Sequence, residues 1–180
     1  MAILEIHKYP DPILKKSCPE VAEIDGRVAG FLNSMVDTMY AARGIGLAAP
    51  QVGLLERALV MDTDADNRGK ELLKIINPVI TESSGEITTE EGCLSVVNYT
   101  AEVTRAAKIL VKGWTSDQKE IELELEGLQA VCVQHEIDHL DGTLFVDLIS
   151  RLKRDLYRKR LRKLAKTGGP TSGNDDIPQI

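Results

Sequence analysis

The 180-residue sequence predicts an α+β fold in which antiparallel sheets surround a central buried helix, with further helices near the N-terminus and the C-terminus. Three observations predict this fold. Apolar residues recur at helical spacing in separate segments, alternating apolar and polar residues mark strands between them, and one helical segment is apolar on most sides. A hydrophobic content of 43% supplies a core and excludes a wholly disordered chain.

Two helices are predicted before residue 141. A turn-rich arm with prolines at residues 9–12 precedes the first helix, which spans residues 25–40 with Asp25 as its N-cap. The apolar face of this helix comprises Val28, Leu32, Met35, Val36 and Met39. The second helix spans residues 129–140 and is apolar on most of its sides, which is typical of a buried helix. A charged side chain inside such a helix therefore needs a reason.

Strands are predicted in the middle of the chain. Residues 58–61 form a short apolar run, followed by a polar loop. Residues 103–111 and 121–125 are the arms of a predicted hairpin with its turn at residues 115–118. In the second arm three aliphatic residues alternate with glutamates, which places the glutamates on a solvated sheet face.

The C-terminal part carries a basic helix, predicted from about residue 147 to residue 166. Residues 1–150 have a net charge of −12, whereas residues 151–166 have one of +8. The acidic body argues against DNA binding, and a solvated face on a packed terminal helix would explain the basic segment. We expect residues 1–166 to form one domain and residues 167–180, rich in Gly and polar residues, to be disordered.

The sequence favours the cytoplasm and no membrane contact. The first residues lack the basic and apolar regions of a signal peptide, and no apolar run reaches the length of a membrane span. The three cysteines, Cys18, Cys93 and Cys132, do not form an evident disulfide framework. Buried thiols in a reducing compartment explain them, while the alternative is that one is a ligand or a nucleophile.

Two histidines in the buried helix suit a metal site. His135 and His139 lie on one helix face a turn apart, and Glu136 beside them can act as a general base. A pair of core histidines is the alternative. No histidine follows that would complete the ligand set, so Cys93 upstream is the better candidate, although by itself it reads as a buried small residue. His7 stands alone and is expected at the surface or in packing.

A Gly- and Ala-rich segment, residues 44–53, forms a third candidate for the site. Gly44 and Gly46 allow the backbone to approach a ligand closely, and the Gln51 amide can donate a hydrogen bond to a developing oxyanion. A close-packed turn after the first helix explains the glycines equally well.

Together and in this order, the three segments closely resemble the signature motifs of the bacterial type 1 peptide deformylases. The segments are residues 44–51 (Gly-Ile-Gly-Leu-Ala-Ala-Pro-Gln), 91–95 (Glu-Gly-Cys-Leu-Ser) and 134–139 (Gln-His-Glu-Ile-Asp-His). The resemblance extends over residues 2–166. It implies a hydrolase that removes the formyl group from the N-terminal formyl-methionine of newly synthesised proteins and releases formate.

The resemblance also implies a role for each motif residue. One divalent metal ion is bound, with Fe²⁺ expected and Zn²⁺, Ni²⁺ or Co²⁺ able to substitute for it. Its ligands are Cys93, His135 and His139. Metal-bound water attacks the formyl carbon with Glu136 as general base and acid, while Gln51 and the backbone N–H of Leu94 form the oxyanion hole.

Substrate contacts follow from the same resemblance. Gly46 aligns the peptide like an added strand, and Glu91 pairs with an arginine expected to be Arg105. The other candidates for contact with the peptide or its methionine are Gly44, Ile45, Leu128, Val131 and Cys132. Val97 and Thr100 stand where many relatives have proline and some have arginine, which alters contacts along this loop and leaves the chemistry intact.

In related deformylases the C-terminal helix binds the ribosome, which implies that residues 151–166 dock on ribosomal RNA near the exit tunnel. Two other functions compete with the deformylase. A zinc peptidase or amidase would use the same helix, but its usual downstream ligand is missing. A non-enzymatic ribosome-bound protein is the second alternative, and the intact Glu136 and Gln51 argue against it.

Overall fold

Two antiparallel sheets form the framework of residues 2–64 and 66–167, the part of the chain that the computed structural model describes. The strands are β1 (Gly46–Ala48), β2 (Ala58–Met61), β3 (Leu73–Ser84), β4 (Ile87–Cys93), β5 (Val96–Arg105), β6 (Lys108–Trp114) and β7 (Glu120–Glu126). The larger sheet has the order β1-β2-β3-β6-β7, and β4 pairs with β5 in the smaller one. Strand β1 is therefore an edge strand.

Four α-helices accompany the sheets in the described part of the chain, together with short 3-10 turns. The helices are α1 (Gly26–Ala41), α2 (Gly127–Leu140), α3 (Phe145–Leu148) and α4 (Arg151–Thr167). The N-cap prediction for the first helix is confirmed, because the Asp25 side chain accepts a hydrogen bond from Val28 N at 3.0 Å. The α+β fold class is confirmed as well, and no helix of the described residues is long and apolar enough to cross a membrane.

Helix α2 is the buried centre of the fold, as its all-round apolar pattern predicted. Its apolar residues pack with the larger sheet in one core cluster, formed with Leu59, Met61, Ile75 and Ile109 among others. Its opposite side reaches the smaller sheet through polar contacts, since His135 bonds Glu91 of β4 and Asp138 bonds Arg105 of β5. The helix thus carries its side chains into the space between the two sheets.

The predicted hairpin is correct for β6 and β7, but its first arm begins at Lys108 rather than at Val103. Residues 103–105 belong to β5 of the smaller sheet. The chain leaves one sheet for the other at Ala106, whose backbone N–H and C=O both bond the side-chain amide of Gln134. The Gln134 side chain thus satisfies backbone groups that a neighbouring strand would otherwise pair. Because this partner is distant in sequence, the apolar pattern around Ala106 does not indicate the break between β5 and β6.

The predicted last helix is wrong in one respect, because it is interrupted between α3 and α4. Ile149 has an extended backbone and packs its side chain against a core cluster, and the Ser150 hydroxyl then caps α4 by accepting from Lys153 N. Among residues 151–163 of α4, whose side chains the structure describes, Tyr157 is buried, whereas Leu152 and Leu156 are exposed. Residues 168–180, which include nearly all of the predicted tail, lie outside the described residues.

Candidate metal centre and active site

Three potential metal ligands converge where α2 faces the end of β4. One donor atom each from Cys93, His135 and His139 lies within 4.8 Å of the others, and the three side chains are buried. The Cys93 Sγ is 3.2 Å from His139 Nε2. Burial lowers the pKa of His139 well below its usual value, so its imidazole is neutral and able to act as a ligand.

The orientation of His135 is set by Glu91. The Glu91 carboxylate accepts a hydrogen bond from His135 Nδ1 at 2.9 Å. The other ring nitrogen, Nε2, is buried and has no hydrogen-bond partner within the described residues. A buried imidazole nitrogen without a partner, beside a thiol and a second imidazole, fits a metal ion, because ligating histidines normally donate their other N–H to a carboxylate or carbonyl.

Arg105 completes this support and lies beside Glu91, where the family resemblance led us to expect it. Its guanidinium bonds both oxygens of Glu91, at 2.5 and 2.9 Å, and also reaches Asp138 Oδ2 at 2.9 Å. Burial alone would raise the pKa of Glu91, but hydrogen bonds from His135 and Arg105 outweigh it and lower that pKa. Asp138 is a member of this network that sequence reasoning missed; its only signal is its position within the helix motif.

Glu136 is positioned beside the ligands in a fully buried environment. Neither of its carboxylate oxygens has a hydrogen-bond partner within residues 2–64 and 66–167, and burial raises its pKa well above the usual value. A Cβ on Gly46 would lie 2.4 Å from Glu136 Oε1 and 2.8 Å from Cys132 Sγ. Only glycine therefore fits at this point of β1, which brings the backbone of the edge strand against the carboxylate.

The Gln51 side chain points its amide nitrogen toward the same centre. Its Oε1 accepts from Ala48 N at 2.7 Å, and its Nε2 lies 3.2 Å from Ser95 Oγ and 3.7 Å from Cys93 Sγ. The amide oxygen is thus occupied by the backbone. The donor end faces the metal ligands, where it can stabilise negative charge on a bound group.

The N-terminal arm supports the loops that carry these donors. His7 N donates to Gln51 O at 2.7 Å, and Lys8 Nζ donates to Leu94 O at 2.5 Å. A Cβ on Gly44 would lie 2.7 Å from the Leu94 side chain, which shows how closely residues 44 and 94 approach. The imidazole of His7 bonds Asp11 at the partly exposed surface, so the side chain of His7 takes no part in the centre.

The predicted substrate pocket is brought together only in part. Ile45, Val131 and Cys132 are buried in one cluster, and Cys132 Sγ donates to Ile45 O at 3.5 Å. Leu128 lies two turns before His135 and is 48% exposed, so it stands at the rim of this cluster at most. Two loop residues differ from those expected from the family resemblance, and both have partners within the protein. Val97 O accepts from the Tyr157 hydroxyl, and the Thr100 hydroxyl donates to Glu90.

Comparisons with known proteins agree with this geometry. A family model described as polypeptide deformylase matches residues 3–155. The peptide deformylase of Thermodesulfovibrio yellowstonii is 52% identical over 162 residues, which cover 90% of this chain and 98% of that protein. A crystal structure of a peptide deformylase from Legionella pneumophila has a TM-score of 0.86 at 46% identity, covering 93% of this chain and 98% of its own. Another, from Ehrlichia chaffeensis in complex with actinonin, has a TM-score of 0.84 at 38% identity, covering 91% of this chain and 98% of its own.

Proposed function

The chain belongs to the peptide deformylase family, and from this premise we propose how its own residues carry out the reaction. It is a metal-dependent hydrolase that removes the N-terminal formyl group of nascent peptides. The observation that carries the assignment is the buried Cys93, His135 and His139 group beside the partnerless carboxylate of Glu136.

Cys93, His135 and His139 would hold one divalent ion, which when bound supplies a nucleophilic water at neutral pH and attracts the negative charge of the transition state. We propose Fe²⁺ as this ion. The proposal rests on the resemblance to the family, since a thiolate with two imidazoles by itself suits zinc equally well.

Glu136 serves as the proton carrier in the proposed mechanism. Its carboxylate accepts a proton from the attacking water and delivers it to the amine that leaves with the peptide. Burial raises the pKa of Glu136, which makes its carboxylate a stronger base and lets it hold the accepted proton until the amine leaves. General acid–base catalysis of this kind contributes roughly 10²–10⁴ in rate.

Two donors stabilise the oxyanion that develops on the formyl oxygen. One is Gln51 Nε2, whose orientation is fixed by the bond from Ala48 N to Gln51 Oε1. The other is the backbone N–H of Leu94, next to the ligand Cys93 in the chain. Both lie on supported backbone, so little reorganisation is needed as charge develops.

The peptide is proposed to bind along β1. Because β1 is the edge of the larger sheet in the described part of the chain, no further strand of that part pairs with its outer side, and a substrate strand would be added there. Gly46 then brings the peptide backbone close to Glu136. Gly44 shapes the turn before β1, and Ile45, Val131 and Cys132 offer apolar contacts for the methionine, with Leu128 at the rim.

The cytoplasm is the proposed compartment, because formylated chains emerge from the ribosome there. We also propose that α4 docks on ribosomal RNA. Between Arg151 and Lys163 the helix carries exposed cations on several sides, as a phosphate-binding surface requires.

A substrate panel tests the proposed activity. The protein, purified without oxygen, is offered a formyl-Met peptide, an acetyl-Met peptide and an unblocked peptide, and formate and peptide products are measured. Formate release from the first peptide alone is the expected result. Cleavage of internal peptide bonds would instead identify a peptidase. Metal analysis of the same preparation tests the iron assignment, which a stoichiometric zinc content with full activity would overturn.

A further inference from the structure

Ser95 follows the ligand segment and has no role in the mechanism above. Its side chain is fully buried, yet it joins three parts of the site. The Ser95 N–H donates to Cys93 Sγ at 3.4 Å, its carbonyl accepts from Tyr9 N at 2.8 Å, and its hydroxyl oxygen accepts from Gln51 Nε2 at 3.2 Å. Two of these contacts belong to the backbone, and only the one to Gln51 belongs to the side chain.

The amide of Gln51 is consequently held at both ends. Ala48 N occupies its oxygen, which excludes the rotated amide because the NH₂ group would then face another donor. Ser95 Oγ takes one of the two N–H groups on Nε2. The second N–H lies on the side of Cys93 Sγ, 3.7 Å away, and is therefore the one able to face a reacting carbonyl at the metal centre.

We propose that Ser95 is a positioning residue for the oxyanion hole, acting through its hydroxyl on the Gln51 amide. This inference rests on the role assigned to Gln51 in the proposed function. An oxyanion donor is most effective when it is already in place before charge develops, and a donor free to swing must first be ordered. Loss of the Ser95 hydroxyl removes one of the two bonds that order this donor.

The substitution Ser95→Ala isolates this contact, because it leaves both backbone contacts of Ser95 in place. We expect kcat for a formyl-Met peptide to fall roughly three- to tenfold, the rate equivalent of one net hydrogen bond. KM and metal content should not change, since the substrate strand and Cys93 keep their contacts, and the thermal midpoint should fall by no more than a few degrees, as expected for one lost hydrogen bond. A role in general packing would instead lower the metal content and raise KM.

A double-mutant cycle with Gln51→Ala gives the sharper test. Because the hydroxyl acts through that amide, Ser95→Ala should have no further effect on kcat once Gln51 is alanine. Thr38→Val is the matched control, since Thr38 is also a buried hydroxyl but lies in α1 and bonds Ser34 and Leu4. It should leave kcat unchanged in both backgrounds.

Three results would overturn the proposal. The first is that Ser95→Ala lowers kcat by the same factor in the unmodified protein and in Gln51→Ala. The second is that Ser95→Ala leaves kcat unchanged while Gln51→Ala lowers it by roughly 10²-fold. The third, an unchanged kcat for Gln51→Ala itself, would also refute the oxyanion role of Gln51, which separates failure of the proposed mechanism from failure of the positioning role.

Discussion

Burial sets the chemistry of individual side chains at the centre. Removal from water raises the pKa of Glu136, which makes its carboxylate a stronger base, and lowers the pKa of His139, which keeps its imidazole neutral. A neutral imidazole can bind a metal, and a carboxyl that takes up a proton readily can act as a base and then as an acid. Burial also raises the pKa of Cys93, so metal binding by this thiol should release a proton.

The first residue-level prediction concerns Glu136. Replacement by alanine removes the proposed proton carrier and none of the three ligands, so kcat should fall by at least about 10²-fold while the metal content stays at one ion per chain. Steady-state kinetics and metal analysis on the same preparation measure both quantities. Glu136→Gln, which preserves the volume, should be equally impaired. Full activity in either variant would contradict the proposed mechanism.

The second residue-level prediction concerns Gly46. A Cβ at this position would lie 2.4 Å from Glu136 Oε1, so Gly46→Ala must displace either the carboxylate or β1. We expect kcat to fall at least about tenfold, because a displacement of about 1 Å can cost up to 10²-fold. Gly30→Ala is the matched control: its Cβ would meet nothing within 4 Å, in helix α1. That variant should retain activity and gain about 0.5–1 kcal/mol of stability.

At the scale of elements, one ion-pair network connects β4, β5 and α2. Arg105 of β5 bonds Glu91 of β4 and Asp138 of α2, and Glu91 in turn bonds His135. The helix that carries two ligands is thereby fixed against the hairpin that carries the third. This explains why an arginine that belongs to none of the three motifs supports the metal centre.

Breaking this network should affect stability and metal binding together. Arg105→Met leaves the Glu91 carboxylate buried without its cation, which should cost roughly 3–5 kcal/mol in the free energy of unfolding. Metal affinity should fall about 10–100-fold, measured by competition with a chelator. Lys112→Met is the control, because its pair with Glu122 is exposed, and it should change neither quantity. Equal stability of the two variants would argue against the network.

At the scale of the whole molecule, α4 combines a positively charged surface with a side chain that packs in the core. The helix concentrates positive charge on an otherwise acidic protein. Its residue Tyr157 is nevertheless 2% exposed, packs against Tyr99 with ring centroids 4.5 Å apart, and shares a core cluster with Cys93. Deletion of the helix would therefore disturb the ligand loop, and ribosome binding is better tested by changes of surface charge.

The double variant Lys159→Glu and Arg160→Glu should lose salt-sensitive ribosome binding while hydrolysing short formyl peptides at the normal rate. Both side chains are exposed and neither belongs to the residues assigned to the metal centre, so the main change is in the electrostatic attraction to phosphate. Co-sedimentation at several salt concentrations measures the binding. The control variant, Lys16→Glu with Lys119→Glu, makes the same charge change outside α4 and should bind the ribosome normally. Unchanged binding by the first pair would refute docking through α4.

Some elements could be predicted from the sequence because their signals are local. The cap at Asp25, the alternation in β7 and the all-round apolar character of α2 depend on residues only a few positions apart. The break at Ala106 and the interruption at Ile149 could not, because each is stabilised by a partner distant in sequence. The periodicity of apolar residues indicates local structure, and it carries no information about partners distant in sequence.

By itself, the sequence determined the ligand types, the spacing of the two histidines on one helix face and the family, since these follow from residue identity and order. The tertiary structure alone decided that the Arg105 guanidinium also reaches Asp138, that the Ser95 hydroxyl accepts from the Gln51 amide and that Tyr157 of α4 is buried in the cluster that contains Cys93. Each of these is a contact between segments far apart in the chain. Such contacts depend on how the sheets pack around α2, and no local pattern encodes that packing.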